Sequence, residues 1–426
     1  MNPGKRTLAA IAAAVTLALP ITGCASAVDS SASSASTSSS TTSESASAGT
    51  TTTTSIDGVT SGTYTATFGN KEVTLSGAYL IDGVDVTIDS GTYTSTTADQ
   101  AVFLVVNGGS LTVTGATIEK SGDATSNSEQ NSGDVSDDYN FYGLNSAIVV
   151  VGEGSSATVA DSTVTTTSSG SNAVVATLSG TADVTNTTIT TSGNSSRGLH
   201  ATYEGVITGS DLTITTSGAH SAALATDRGS GTVTVTGTNV FNTSGDGSPL
   251  LYSTGTISAS GVTGTSADSQ VVVVEGKNHA TLTDSQVTSA GGDAVMLYQS
   301  FSGDAADADA QAEVSTLVLE NTTITYTGDG PLLYFTNTTA DVTLTNSSFV
   351  SDTASGLATA DEDRWGDSGS NGATVTIAVS GSTLEGAVTA GDSSSITMSL
   401  ADSSTLTGST SGTVEITTDS SSTHTS

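Results

Sequence analysis

Basic residues are scarce in this chain. Eight Lys plus Arg stand against 42 Asp plus Glu in 426 residues, a formal net charge of −34. Nucleic-acid binding needs clustered Lys or Arg to neutralise phosphates, and no such supply exists. A single cysteine excludes a disulfide framework and thiolate zinc sites. Apolar runs are short, and the longest, residues 8–21, falls below a comfortable membrane span. What the chain does have is Gly (47 residues) and Ser plus Thr, together more than a third of all positions. That excess over Leu, Glu and Lys argues against a long helical bundle. General disorder is disfavoured too, because the 35% hydrophobic residues are grouped into short Val/Ile/Leu runs.

The N-terminus reads as an address. Lys5 and Arg6 precede the apolar stretch, which ends in Ile21-Thr22-Gly23-Cys24. This resembles a bacterial lipobox. The resemblance implies cleavage after residue 23, diacylglyceryl attachment at Cys24, and an extracytoplasmic lipoprotein anchored to a bacterial membrane at the cell surface. Two acyl chains suffice for stable anchoring. Leu19-Pro20-Ile21-Thr22-Gly23 also spells the sortase pattern LPxTG, but it lies inside the signal and the chain ends in a polar STHTS. Loss of Lys5 and Arg6 takes the net charge from −34 to −36. Residues 24–55 are mostly Ser, Thr, Ala and Gly, the composition of a flexible tether. The expected organisation continues with a cap and first coils over 56–99, a repeat array over 100–400, and a last coil with a polar tail over 401–426.

The array shows two segments that recur in step. The first is an apolar run, as in Ala147-Ile148-Val149-Val150 and Ala173-Val174-Val175-Ala176, with a period near 24. The second reads aliphatic, any, Gly/Asp/Asn, any two, aliphatic: Val159-Ala-Asp161-Ser-Thr-Val164, Val184-Thr-Asn186-Thr-Thr-Ile189, Val235-Thr-Gly237-Thr-Asn-Val240, Leu282-Thr-Asp284-Ser-Gln-Val287. Val, Ile and Thr favour strands, and alternation turns one face inward. Gly, Asn and Asp tolerate the left-handed backbone of a tight corner. Each repeat is too short to bury its own face, so stacking must supply the core. The pattern predicts an all-β solenoid with three short strands per coil. An antiparallel sandwich would place turn residues after every strand, not once per period. The columns, corners and TTITTSG-like segments resemble right-handed parallel β-helices: pectate-lyase-like domains and adhesin or autotransporter passengers. The resemblance covers roughly 75–400 and implies fold more than function.

Aligning the first run by columns gives Val102, Ile148, Val174, Leu199, Ala223, Leu250, Val271, Val295, Leu332 and Leu357 as an inward set. The next column is Phe103, Val149, Val175, His200, Leu224, Leu251, Val272, Met296, Leu333 and Ala358. Successive strand residues face opposite ways, so one apolar column must lie outside. It either meets a partner or is covered by inserted loops.

Three insertions break the period: 121–144, 299–314 and 361–371, the last two at the same corner two coils apart. Insertions in repeat folds gather on the binding face. Candidate ligand-binding residues are therefore Asp304, Asp307 and Asp309 in one loop and Asp361, Asp363, Trp365 and Asp367 in the other. Trp365 is the only tryptophan and a natural anchor. The carboxylates could supply oxygen ligands to Ca²⁺, although no known calcium-loop spacing is present. No catalytic set is discernible. Asp161, Asp211 and Asp284 alternate with Gly and Asn at corners, Arg197 and Arg228 are isolated, and no Ser-His-Asp constellation appears. A strongly anionic surface would also repel polyanionic sugars. Thr-x-Thr segments such as Thr165–Thr167 fit ordinary strand preference better than ice binding. The sequence thus points to a non-catalytic adhesin-like or glycan-binding module. The alternatives are a polysaccharide lyase or glycoside hydrolase of the pectate-lyase-like kind, and a structural spacer with no ligand.

Overall fold

The computed structural model describes residues 53–125, 135–228, 230–300, 314–363 and 365–426. Within them the chain is a parallel β-solenoid of about 12 turns of roughly 25 residues, with 55% strand and 1% helix. Each coil contributes one strand to each side. The first sheet has 14 strands, the second 13 and the third 10, with three further strands forming a small separate sheet late in the chain. A typical coil runs Leu199–Thr202, Val206–Ser210, Thr213–Thr216. All pairings are parallel except the opening hairpin, where Gly62–Phe68 pairs antiparallel with Lys71–Asp82.

The expected corners are where the backbone turns. Asp161, Asn186, Asp211, Asp284, Asn321 and Asn346 have φ of 51°, 45°, 57°, 51°, 50° and 48°, between the second and third strands of their coils. Their side chains also bond from coil to coil: Asn186 Nδ2 donates to Asp161 Oδ1 at 2.6 Å and Asn321 Nδ2 to Asp284 Oδ1 at 3.1 Å. The core is an aliphatic column stack filled from all three sheets.

Serine is not only an exterior residue. At the corner from the third sheet to the first, the amides of Ser171, Ser196 and Ser221 donate to the hydroxyls of Ser196, Ser221 and Ser248, each at 2.9 Å. All four serines are fully buried. Backbones approach so closely beside this ladder that a Cβ on Gly218 would lie 1.8 Å from the carbonyl oxygen of Gly193.

The register corrects the sequence alignment. In the first sheet the true inward column is Phe103, Ile148, Val174, Leu199, Leu224, Leu251, Val272, Val295, Leu333, Ala358. Val102, Ala223, Leu250, Val271, Leu332 and Leu357 lie one residue earlier. They are buried as well, because the chain bends there and both neighbours reach the core. The third sheet shows a similar slip. Phe241, not Val240, continues the Ile214 column, and Val240 is 37% exposed.

The outward column of the first sheet is Leu104, Val149, Val175, His200, Ala225, Tyr252, Val273, Met296, Tyr334. Its first part is covered. Phe68, Leu75, Phe141 and Tyr142 pack on Leu104, Val149 and Val175 as a second apolar cluster. Phe141 and Tyr142 belong to the first insertion, which is pinned by charge. Lys71 pairs with Asp138, Arg228 pairs with Asp137 at 3.3 Å, and the Arg228 guanidinium lies 3.8 Å from the centre of the Phe141 ring. His200 and Ala225, next in the column, are fully buried as well, and beyond them Tyr252, Val273 and Met296 floor an open cleft.

Candidate functional site

The cleft has a volume of about 420 Å³ and crosses several coils on the outer face of the first sheet. Tyr252, Val273 and Met296 form its floor. Asn140, Phe141, Arg197 and Asp227 close one end, and Tyr298 and Trp365 the other. The corners between the third and first sheets supply one wall, with His220, Asp246, Asp268 and Gln270.

The closed end is built on a buried charge set. Asp227 is 1% exposed, and its Oδ2 meets His200 Nε2 at 2.7 Å and Arg197 Nε at 3.7 Å. Arg197 Nη1 also donates to Asn140 Oδ1 at 2.9 Å, tying the first insertion to the coil wall. Burial, then the neighbouring Arg197 charge, hold the His200 pKa well below its ordinary value. His200 is therefore neutral and donates Nε2–H to Asp227, while its buried Nδ1 has no partner. The Asp227 charge is balanced by Arg197, so the set is one ion pair with a neutral hydrogen bond beside it. Arg197 and Arg228, isolated along the sequence, thus each find a carboxylate in space.

The opposite end is aromatic. Trp365 lies on Tyr298 with ring centroids 4.4 Å apart. Glu275, from the coil between Tyr252 and Tyr298, is 1% exposed and accepts from both phenols, at 2.6 and 2.8 Å on Oε2. It fixes both rings from behind. Asp293, half-buried beside the cleft, accepts from Gln270 Nε2 at 2.9 Å. Its pKa is pushed up to about 6 by burial, opposed by the Gln270 hydrogen bond and assisted by repulsion from Asp363.

The candidates named from sequence divide accordingly. Trp365 lines the cleft. Asp363 flanks it, accepting from Tyr334 at 3.2 Å. Asp361 and Asp367 are exposed on the same loop but do not line the cleft. The loop is held down by Asn371, whose Nδ2 donates to the carbonyls of Asp363 and Trp365 at 2.5 and 2.7 Å. Asp304, Asp307, Asp309 and Cys24 lie outside the described residues. Among the described residues no group of three or more His, Cys, Asp or Glu is placed to hold a metal ion. No helix among them is long and apolar enough to cross a membrane. Asp161, Asp211 and Asp284 are corner residues, remote from this chemistry.

Sequence reasoning missed Tyr252, Glu275, Asp227, Asp246 and Asp268. Only one signal for them existed: polar or aromatic residues interrupting an aliphatic run, as Asp227 and Glu275 do at the ends of their strands. The chain matches no family model, no curated protein and no solved structure.

Proposed function

We propose that the protein is a surface-anchored, non-catalytic glycan-binding module of adhesin-like architecture. A lipid on Cys24 would hold it to a bacterial membrane, with residues 24–55 as the spacer. The observation that carries the reading is the cleft itself. Aromatic rings at Tyr252, Tyr298 and Trp365 offer faces for sugar rings, and carboxylates along the wall offer acceptors for hydroxyl groups. Glu275 holds two of those rings in place before any ligand arrives, which lowers the ordering cost of binding. The test is a glycan array probed with the full-length protein, repeated with Trp365→Ala. Binding to oligosaccharides that falls at least tenfold in the variant supports the reading. Binding that is absent, or unchanged by the variant, removes it. Anchoring is tested separately: Cys24→Ser should move the protein from the membrane fraction to the soluble one.

One observation favours a second reading, a glycoside hydrolase or polysaccharide lyase. Asp293 carries a raised pKa and feels Asp363, as an acid–base pair of carboxyls would. Release of new reducing ends from the glycans that bind, lost in Asp293→Asn, would convert the module into an enzyme. Glycans recovered intact after prolonged incubation would leave it a binder.

A further inference from the structure

Resting on the glycan-binding reading, we infer that the cleft selects oligosaccharides bearing free amino groups over their N-acetylated or neutral counterparts. Among the described residues the lining holds Asp227, Asp246 and Asp268 with Arg197, so its charge is predominantly negative. Among the described residues Arg197 is the only Lys or Arg in the lining, and it is already paired with Asp227. Asp246 and Asp268 line the wall at successive coils and are exposed to solvent. Neither forms a salt bridge among the described residues.

The second half of the argument is the aromatic end. Tyr252, Tyr298 and Trp365 line the same cavity as these carboxylates. Ring faces attract cations as well as sugar rings, and more strongly when desolvated. A neutral sugar would use the rings and offer the carboxylates only its uncharged hydroxyl groups. A carboxylated sugar would be repelled. An amino sugar uses rings and charges together, because its ring stacks while its ammonium donates three hydrogen bonds to acceptor-only groups. Acetylating the amine removes the charge and two of those donors.

The experiment measures the affinity of the full-length protein for glucosamine oligomers, the matching N-acetylglucosamine oligomers and cello-oligosaccharides of equal length. Free-amine oligomers should bind at least tenfold more tightly than acetylated ones. The preference should shrink to less than threefold in the double variant Asp246→Asn/Asp268→Asn, which keeps neutral hydrogen-bonding side chains at both positions. A control double variant, Glu385→Gln/Asp392→Asn, alters the net charge equally at exposed positions that do not line the cleft and should keep the full preference. Equal affinity for amino and acetylated oligomers overturns the inference and leaves the glycan-binding reading standing. So does an equal loss of preference in both double variants, which would mean that the overall −34 charge attracts any polycation. Absence of binding to all three sugars overturns both.

Discussion

The indole of Trp365 lies against the phenol of Tyr298, ring centroids 4.4 Å apart and planes inclined by 34°. One residue belongs to a first-sheet strand and the other to an insertion that leaves the same sheet two coils later. The pair closes the cleft with residues far apart in the chain. Trp365→Ala should therefore cost little stability, about 0.5–1.5 kcal/mol for an aromatic pair near solvent. Ligand affinity should fall at least tenfold. Urea unfolding alongside binding isotherms separates the two, and a stability loss above 3 kcal/mol would make the ring structural.

Asp227 should behave oppositely. Asp227→Ala leaves Arg197 charged and buried with no carboxylate, and takes away the acceptor of His200. Breaking one partner of a buried pair costs about 3–5 kcal/mol. Replacing Arg197, His200 and Asp227 together by Met, Leu and Leu should recover most of that loss. Chemical denaturation of the single and triple variants decides it. A single-variant loss under 1 kcal/mol would show the set to be solvated.

His200 and Asp293 should pull the pH dependence of stability in opposite directions. The His200 pKa is lowered in the fold, so the unfolded chain takes up its proton first. The His200 contribution is complete above pH 6.5 and erodes below it, by about 1.4 kcal/mol per unit until the folded value is reached. The Asp293 pKa is raised from 3.8 to about 6, so the folded chain protonates first and gains stability as pH falls through that window. His200→Gln should flatten the loss below pH 6.5. Asp293→Asn should raise stability at pH 7 by about 1–2 kcal/mol and abolish the gain near pH 5. Urea midpoints from pH 4 to 8 test both signs, and a destabilised Asp293→Asn at pH 7 would contradict the second.

The serine ladder should be costly to interrupt at a single rung. Ser221→Ala removes the acceptor of the Ser196 amide, leaving a buried N–H unpaired at about 1–3 kcal/mol. Gly218→Ala should be worse, since its Cβ would collide with the Gly193 carbonyl and the coils would have to separate. Thermal melts that rank Ser221→Ala below Gly218→Ala would reverse the roles assigned to hydroxyl and backbone.

The fold was largely legible because its corners demand particular residues. Asp161, Asn186 and Asp284 mark the period through a backbone conformation that few side chains accept. Register was less legible. A run such as Pro249-Leu250-Leu251-Tyr252 buries consecutive residues at a bend, so alternation disappears and the alignment slips by one. Trp365 was found because it is unique. Tyr252 and Asp227 were not, because they stand in strands, and what leaves Tyr252 open but covers Val149 is the reach of a distant insertion. No local pattern encodes that reach.

The serine ladder gives the molecule a countable length. Ser196 and Ser221 each receive the same kind of contact that they pass on. A tandem copy of one coil would introduce no new joint and would lengthen the molecule by a single strand spacing, about 4.8 Å. Genetic slippage in whole units could thus tune how far the protein extends while each end of the rod stays as it was.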